Sequence, residues 1–128
     1  MGNKMTTPTP TESELAILQV LWRTGPSSVR EVWKELGHIT GYTTVLKFLQ
    51  IMLEKKLVTR NASRMTHIYE AAVTESSTQD RLLHGLIHRA FSGSSGQLVL
   101  RALSDKSVPP EELKMIRSLI AEIKDGNA

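Results

Sequence analysis

Tyr42, Thr43, Thr44, Lys47 and Gln50 lie in one short stretch and carry side chains that can reach the edges of nucleic-acid bases. Thr43, Lys47 and Gln50 fall at i, i+4 and i+7, and Glu54 continues the series, so on a helix they share one face with Thr44 beside them. Threonine can bond a base edge or meet a thymine methyl, lysine can donate to guanine or phosphate, and glutamine can pair with adenine. The opposite face carries Val45, Leu49, Met52 and Leu53, widened by Leu46, and would pack on a core. A helix apolar behind and hydrogen-bonding in front is what reading a ~12 Å major groove requires. A solvated helix uses similar residues, and the surrounding charge separates the two readings. Residues 41–69 hold Lys47, Lys55, Lys56, Arg60 and Arg64 against Glu54 alone, a net +4. Residues 1–73 carry nine Lys/Arg against six Asp/Glu, whereas residues 74–128 carry seven against seven. A basic segment beside a neutral one points to a polyanion-binding module joined to something else.

Other chemistries find little support. With no cysteine among 128 residues there is no disulfide, thiolate nucleophile, iron–sulfur cluster or cysteine zinc site. His84 and His88 stand four apart on an expected helix, but Gly85 follows His84 where the H-E-x-x-H hydrolase motif needs glutamate, so an ordinary helix flank is the better reading. Neither a G-x-S-x-G elbow nor a G-x-x-x-x-G-K-[ST] loop occurs. No enzyme activity, cofactor or metal is expected. The composition, 40% hydrophobic and 23% charged, is that of a soluble globular protein. Its longest apolar runs are far short of the ~18 residues of a membrane span, and the Thr/Pro-rich residues 1–10 lack the pattern of a secretory signal. The expectation is a cytoplasmic protein with no membrane insertion.

Elements that would position the base-reading face follow from local signals. Thr11-Glu12-Ser13-Glu14 is a capping box opening a helix through Leu15, Leu18, Leu21 and Trp22 that stops at Thr24-Gly25-Pro26. Ser28-Val29-Arg30-Glu31 repeats the box, and Val29, Val32, Trp33 and Leu36 predict a two-turn helix ending before Gly37. The reading helix is expected over residues 42–56. Strand-like runs at 57–60 and 66–71 flank a turn containing Asn61 and Ser63, which predicts a β-hairpin. Three helices and a hairpin describe a winged helix-turn-helix over residues 11–73, after a flexible segment at 1–10. Arg60 and Arg64 on the wing suit phosphate contacts, and Tyr69 is expected to pack its ring under the wing while its hydroxyl meets a phosphate. Trp22 and Trp33 read as core residues.

Residues 74–128 read as helical throughout. Ser76 or Ser77 can cap a helix carrying Leu82, Leu83, Leu86, Ile87 and Phe91; another is expected over 95–104, and a third starts near Pro110. So small a module struggles to bury a core alone, and oligomerisation is one usual remedy. Leu82, Leu86, Leu98, Leu103, Ile116, Ile120 and Ile123 are the expected contacts of a homodimer. The fold class is thus mostly α with a small β-hairpin wing, an N-terminal winged helix-turn-helix followed by a C-terminal three-helix dimerisation module. A winged-helix interaction module without specific DNA binding is the alternative reading.

Residues 11–18 with Leu21-Trp22, then Ser28-Val29-Arg30-Glu31-Val32, Tyr42-Thr43-Thr44-Val45 with Leu49, and finally Arg64 with His67-Ile68-Tyr69 resemble the penicillinase and methicillin-resistance repressor family (BlaI/MecI) over nearly the whole chain. The resemblance implies a homodimeric bacterial transcriptional repressor that binds an inverted-repeat operator in double-stranded DNA, controlling β-lactamase or antibiotic-response genes. It implies base reading by Thr43, Thr44 and Lys47 and a wing role for Arg64 and Tyr69. Lys47 stands where the family usually has threonine, and a cation seeks different base atoms. The resemblance also implies relief of repression by proteolysis near Arg101–Ala102, triggered through a membrane sensor protease system; the pair here differs from the Asn-Phe pair of the best-known members.

Overall fold

Two reciprocal caps start the first two helices. In the computed structural model, which describes residues 8–63, 65–105 and 107–126, the Glu14 amide donates to Thr11 Oγ1 at 3.2 Å and the Thr11 amide donates to Glu14 Oε1 at 2.9 Å. This box opens α1 (Glu12–Thr24), which ends at Gly25, whose φ of 85° lies in the region that disfavours a side chain. Ser28 and Glu31 make the same exchange at 3.2 and 2.8 Å and open α2 (Val29–Glu35). Both boxes match the sequence expectation.

The reading helix is α3 (Tyr42–Glu54). Strands β2 (Val58–Asn61) and β3 (Ile68–Ala71) form the wing, Arg60 opposite Tyr69 and Asn61 opposite Ile68. A two-residue strand, β1 (Ser27–Ser28), pairs with the other edge of β3, giving an antiparallel sheet in the order β1-β3-β2. The hairpin was expected, β1 was not: two residues are too short to show an alternating pattern.

Ile17, Leu18 and Leu21 of α1, Val32 of α2, Val45, Leu49 and Met52 of α3, and Leu57, Val58 and Tyr69 form one buried cluster. Trp22 and Trp33 pack against it half-buried, and Trp22 donates from Nε1 to the Val73 carbonyl at 2.9 Å, fixing the chain where it leaves the wing. A partly buried ion pair ties α3 to α1. Lys55, the residue that caps α3, places Nζ 2.6 Å from Glu14 Oε1, and the Glu14 side chain is 4% exposed. Burial alone would raise the Glu14 carboxyl; hydrogen bonds from Lys55 and the Thr11 amide and the lysine charge outweigh it and hold it below its ordinary 4.5.

The remaining helices are α4 (Glu75–Ala90), α5 (Ser95–Ser104) and α6 (Pro110–Gly126). Thr74, not Ser76 or Ser77, caps α4: its Oγ1 accepts from the Ser77 amide at 3.1 Å. The chain divides into two compact units, one through His84 and one from Gly85, so this division falls inside α4. The first turns of α4 belong with the winged helix, where Thr78 is 3% exposed and donates to the Thr74 carbonyl at 2.8 Å. In the second unit, Ser94 caps α5 by accepting from the Gln97 amide, Pro110 opens α6 as expected, and no described residue of α5 or α6 is buried. No described helix is long and apolar enough to cross a membrane.

Candidate nucleic-acid interface

Burial splits α3 lengthwise. Val45, Leu49 and Met52 are fully covered, while Thr43, Thr44, Lys47 and Gln50 are exposed and Tyr42 is 39% exposed at its start. The apolar stripe fixes the helix on the core and leaves the hydrogen-bonding stripe outward, as the spacing predicts. Ile51, 39% exposed, also lies on the outward side and was not anticipated; an apolar group there is suited to a thymine methyl.

The turn that aims α3 is organised by Trp33. Its Nε1 donates to the Thr40 carbonyl at 2.8 Å. Its ring meets His38 edge-on at a centroid distance of 4.1 Å and Tyr42 at 5.7 Å. Gly37 and His38 turn the chain with φ of 75° and 60°. Trp33 was expected only to fill the core; it also holds the carbonyl and the two rings that bracket the start of α3.

On the wing, Asn61 Oδ1 accepts from the Ser63 amide at 2.9 Å and from the Ser63 hydroxyl at 2.7 Å, the turn role expected of both. Arg60 is exposed and Met65 stands fully exposed near the tip. Arg64 lies outside the described residues. Tyr69 is 1% exposed, so its ring belongs to the core, and it reaches the surface only as part of the wall of a cleft between α2, α3 and the wing. That cleft has a volume of about 470 Å³, and Arg30, Thr66 and His67 also line it. None of these three is given a binding role by the sequence, where Arg30 appears in a capping box and Arg30 and His67 among the residues that carry the family resemblance. Of the basic residues counted at 41–69, Lys55 is committed to Glu14, which leaves Lys47, Lys56 and Arg60 exposed among those described.

His84 uses Nδ1 to donate to the Asp80 carbonyl at 2.7 Å. Among the described residues no group of three or more His, Asp or Glu side chains could hold a metal ion. Of the expected dimer contacts, Leu86, Ile120 and Ile123 are 42, 52 and 51% exposed, and Leu82, Leu98, Leu103 and Ile116 are half-buried. Leu83, Val99, Leu100, Met115 and Leu119 are exposed apolar side chains too, in addition to the residues expected.

Comparison with known proteins bears on this geometry. The family model described as penicillinase repressor matches residues 10–122. The chain belongs to the penicillinase repressor family. A penicillinase repressor of Bacillus licheniformis is 22% identical over 120 residues, covering 92% of this chain and 94% of that protein. Among solved structures, the DNA-binding domain of the repressor BlaI superposes with a TM-score of 0.50 at 22% identity, covering 56% of this chain and 89% of that one. A MarR family protein from Bacillus stearothermophilus superposes with a TM-score of 0.51 at 17% identity over 98% of this chain and 80% of that one. These likenesses agree with a mostly helical winged-helix fold. The penicillinase repressor family is one of DNA-binding transcriptional repressors and not of enzymes.

Proposed function

We propose that two copies of this penicillinase repressor homologue join through their C-terminal helices and place both α3 helices in successive major grooves on one face of an inverted-repeat operator. Repression follows from occluding the promoter, in the cytoplasm where the promoter is. The carrying observation is the outward stripe Thr43, Thr44, Lys47 and Gln50 on a helix whose opposite side buries Val45, Leu49 and Met52. Tyr42 flanks the stripe and Arg60 stands exposed on the wing beside it. Tyr69 serves there from the core as part of the cleft wall, and Arg64, which lies outside the described residues, is carried into this reading from the sequence alone. The uncovered apolar side chains of α4, α5 and α6 support the homodimer, because large apolar groups left in water favour a partner surface.

The regulated genes on this reading are those for β-lactamase or antibiotic response, as the Bacillus licheniformis relative is a penicillinase repressor. Relief of repression by proteolysis at Arg101–Ala102, through a membrane sensor protease system, extends the same reading. Both residues are exposed, on α5. A gel shift of the full chain with the DNA upstream of its own gene tests the core of the proposal. Binding should survive physiological salt and a large excess of random duplex. Weak binding that random duplex removes would support an interaction module instead.

A further inference from the structure

Arg30 is an exposed cation on α2 with no ion pair among the described residues, unlike Arg23, which sits 2.9 Å from Glu35. Its guanidinium carbon lies 5.9 Å from the centre of the Tyr42 ring, which gives the side chain one weakly directing neighbour and leaves its five donors for another partner. Arg30 and Tyr42 face the 470 Å³ cleft, whose wall also includes Ser28, Thr66 and His67 and contains no carboxylate. Ser28 Oγ accepts from the Glu31 amide, so its own proton stays available to donate. A cleft of this volume has room for more than a lone ion, and a guanidinium is the cation best matched to a phosphate's paired oxygens. Tyr42 belongs both to this wall and to the start of α3, so a strand lying in the cleft would pass directly beside the base-reading stripe.

We propose that the cleft between α2 and the wing receives one backbone strand of the operator and that Arg30 is its phosphate anchor. This inference rests on the DNA-binding reading above and adds to it a residue outside the recognition helix and the wing. A phosphate contact fixes the register of the protein on the duplex and carries no sequence choice of its own. Arg30 therefore contributes equally to binding of operator and of random DNA, in contrast to Lys47.

The test compares the full-length wild type with Arg30→Ala, Arg30→Lys and Lys47→Ala, using fluorescence anisotropy on the chain's own upstream duplex and on a shuffled duplex of equal length, across about 50–200 mM salt. Arg30→Ala should weaken both duplexes by a similar factor, roughly 5- to 20-fold, and flatten the plot of log affinity against log salt by about 0.9 per guanidinium removed, twice that for a dimer. Arg30→Lys keeps the charge and should keep the slope. Lys47→Ala should weaken mainly the upstream duplex. Equal thermal melts of wild type and Arg30→Ala separate the effect from misfolding. An unchanged salt slope in Arg30→Ala, or a loss confined to the upstream duplex, overturns the anchor while the DNA reading stands. If the wild type binds neither duplex, the DNA reading itself has failed and the anchor falls with it.

Discussion

Lys47 stands at the middle of the outward stripe and Thr44 at its edge, both exposed and backed by the buried Val45 and Leu49. Alanine at either position removes a base-reaching group without touching the core. Each substitution should cost about 1–3 kcal/mol of discrimination between operator and random duplex, measured by competition binding; equal losses on both DNAs would contradict base reading. Glu14 makes a different prediction, about stability. Its folded carboxyl lies below its ordinary 4.5, so the charged form is favoured in the folded chain. The stabilisation is complete above pH 4.5 and is lost as the pH falls through the depressed value. Urea midpoints of wild type should therefore drop on acidification through that window. Glu14→Gln should be less stable at neutral pH and lack this part of the drop. Lys55→Met, which leaves the buried carboxylate without its cation, should cost roughly 1.5–3 kcal/mol by urea titration at pH 7.

Among the elements, the turn before α3 decides where the reading stripe points, and Trp33 holds it through one hydrogen bond and two ring contacts. Trp33→Phe keeps a ring but removes the donor to Thr40. A stability loss of about 1–2 kcal/mol in urea is expected, with weaker discrimination between duplexes; unchanged values of both would show that the turn holds without it. Local signals made much of this architecture legible in the sequence. The two capping boxes, the stripe of α3, the Asn61 turn and Pro110 each act within a few residues, and each appears where its spacing placed it. Features that depend on distant chain were not legible. Lys55 finds Glu14 across 41 positions of sequence. The wall of the cleft joins α2 to the wing and so exposes Arg30 as a candidate only once the chain is folded. Thr74, Ser76 and Ser77 are all suitable caps, and it is Thr74 that the Ser77 amide meets. Tyr69 could have faced either way on a strand; pairing with both β1 and β2 puts its ring in the core.

For the whole molecule, the contrast between its two compact units is the main physical fact. The winged helix has a closed core, whereas α5 and α6 bury none of their described residues and leave Leu119, Ile120 and Ile123 more than half exposed. A second copy is the partner the proposed function requires. Leu119→Glu combined with Ile120→Glu should convert a dimer to a monomer in sedimentation velocity at tens of micromolar, while the winged helix keeps its fold. A wild type that sediments as a monomer at that concentration would contradict the dimer. The most direct measurement of the central claim, that paired α3 helices grip two half-sites, is a hydroxyl-radical footprint of the full chain on its own upstream DNA. The account predicts two protected patches on one face of the duplex, their centres ~34–36 Å apart or a multiple of that distance. A single patch, or uniform protection that disappears with modest salt, would contradict it.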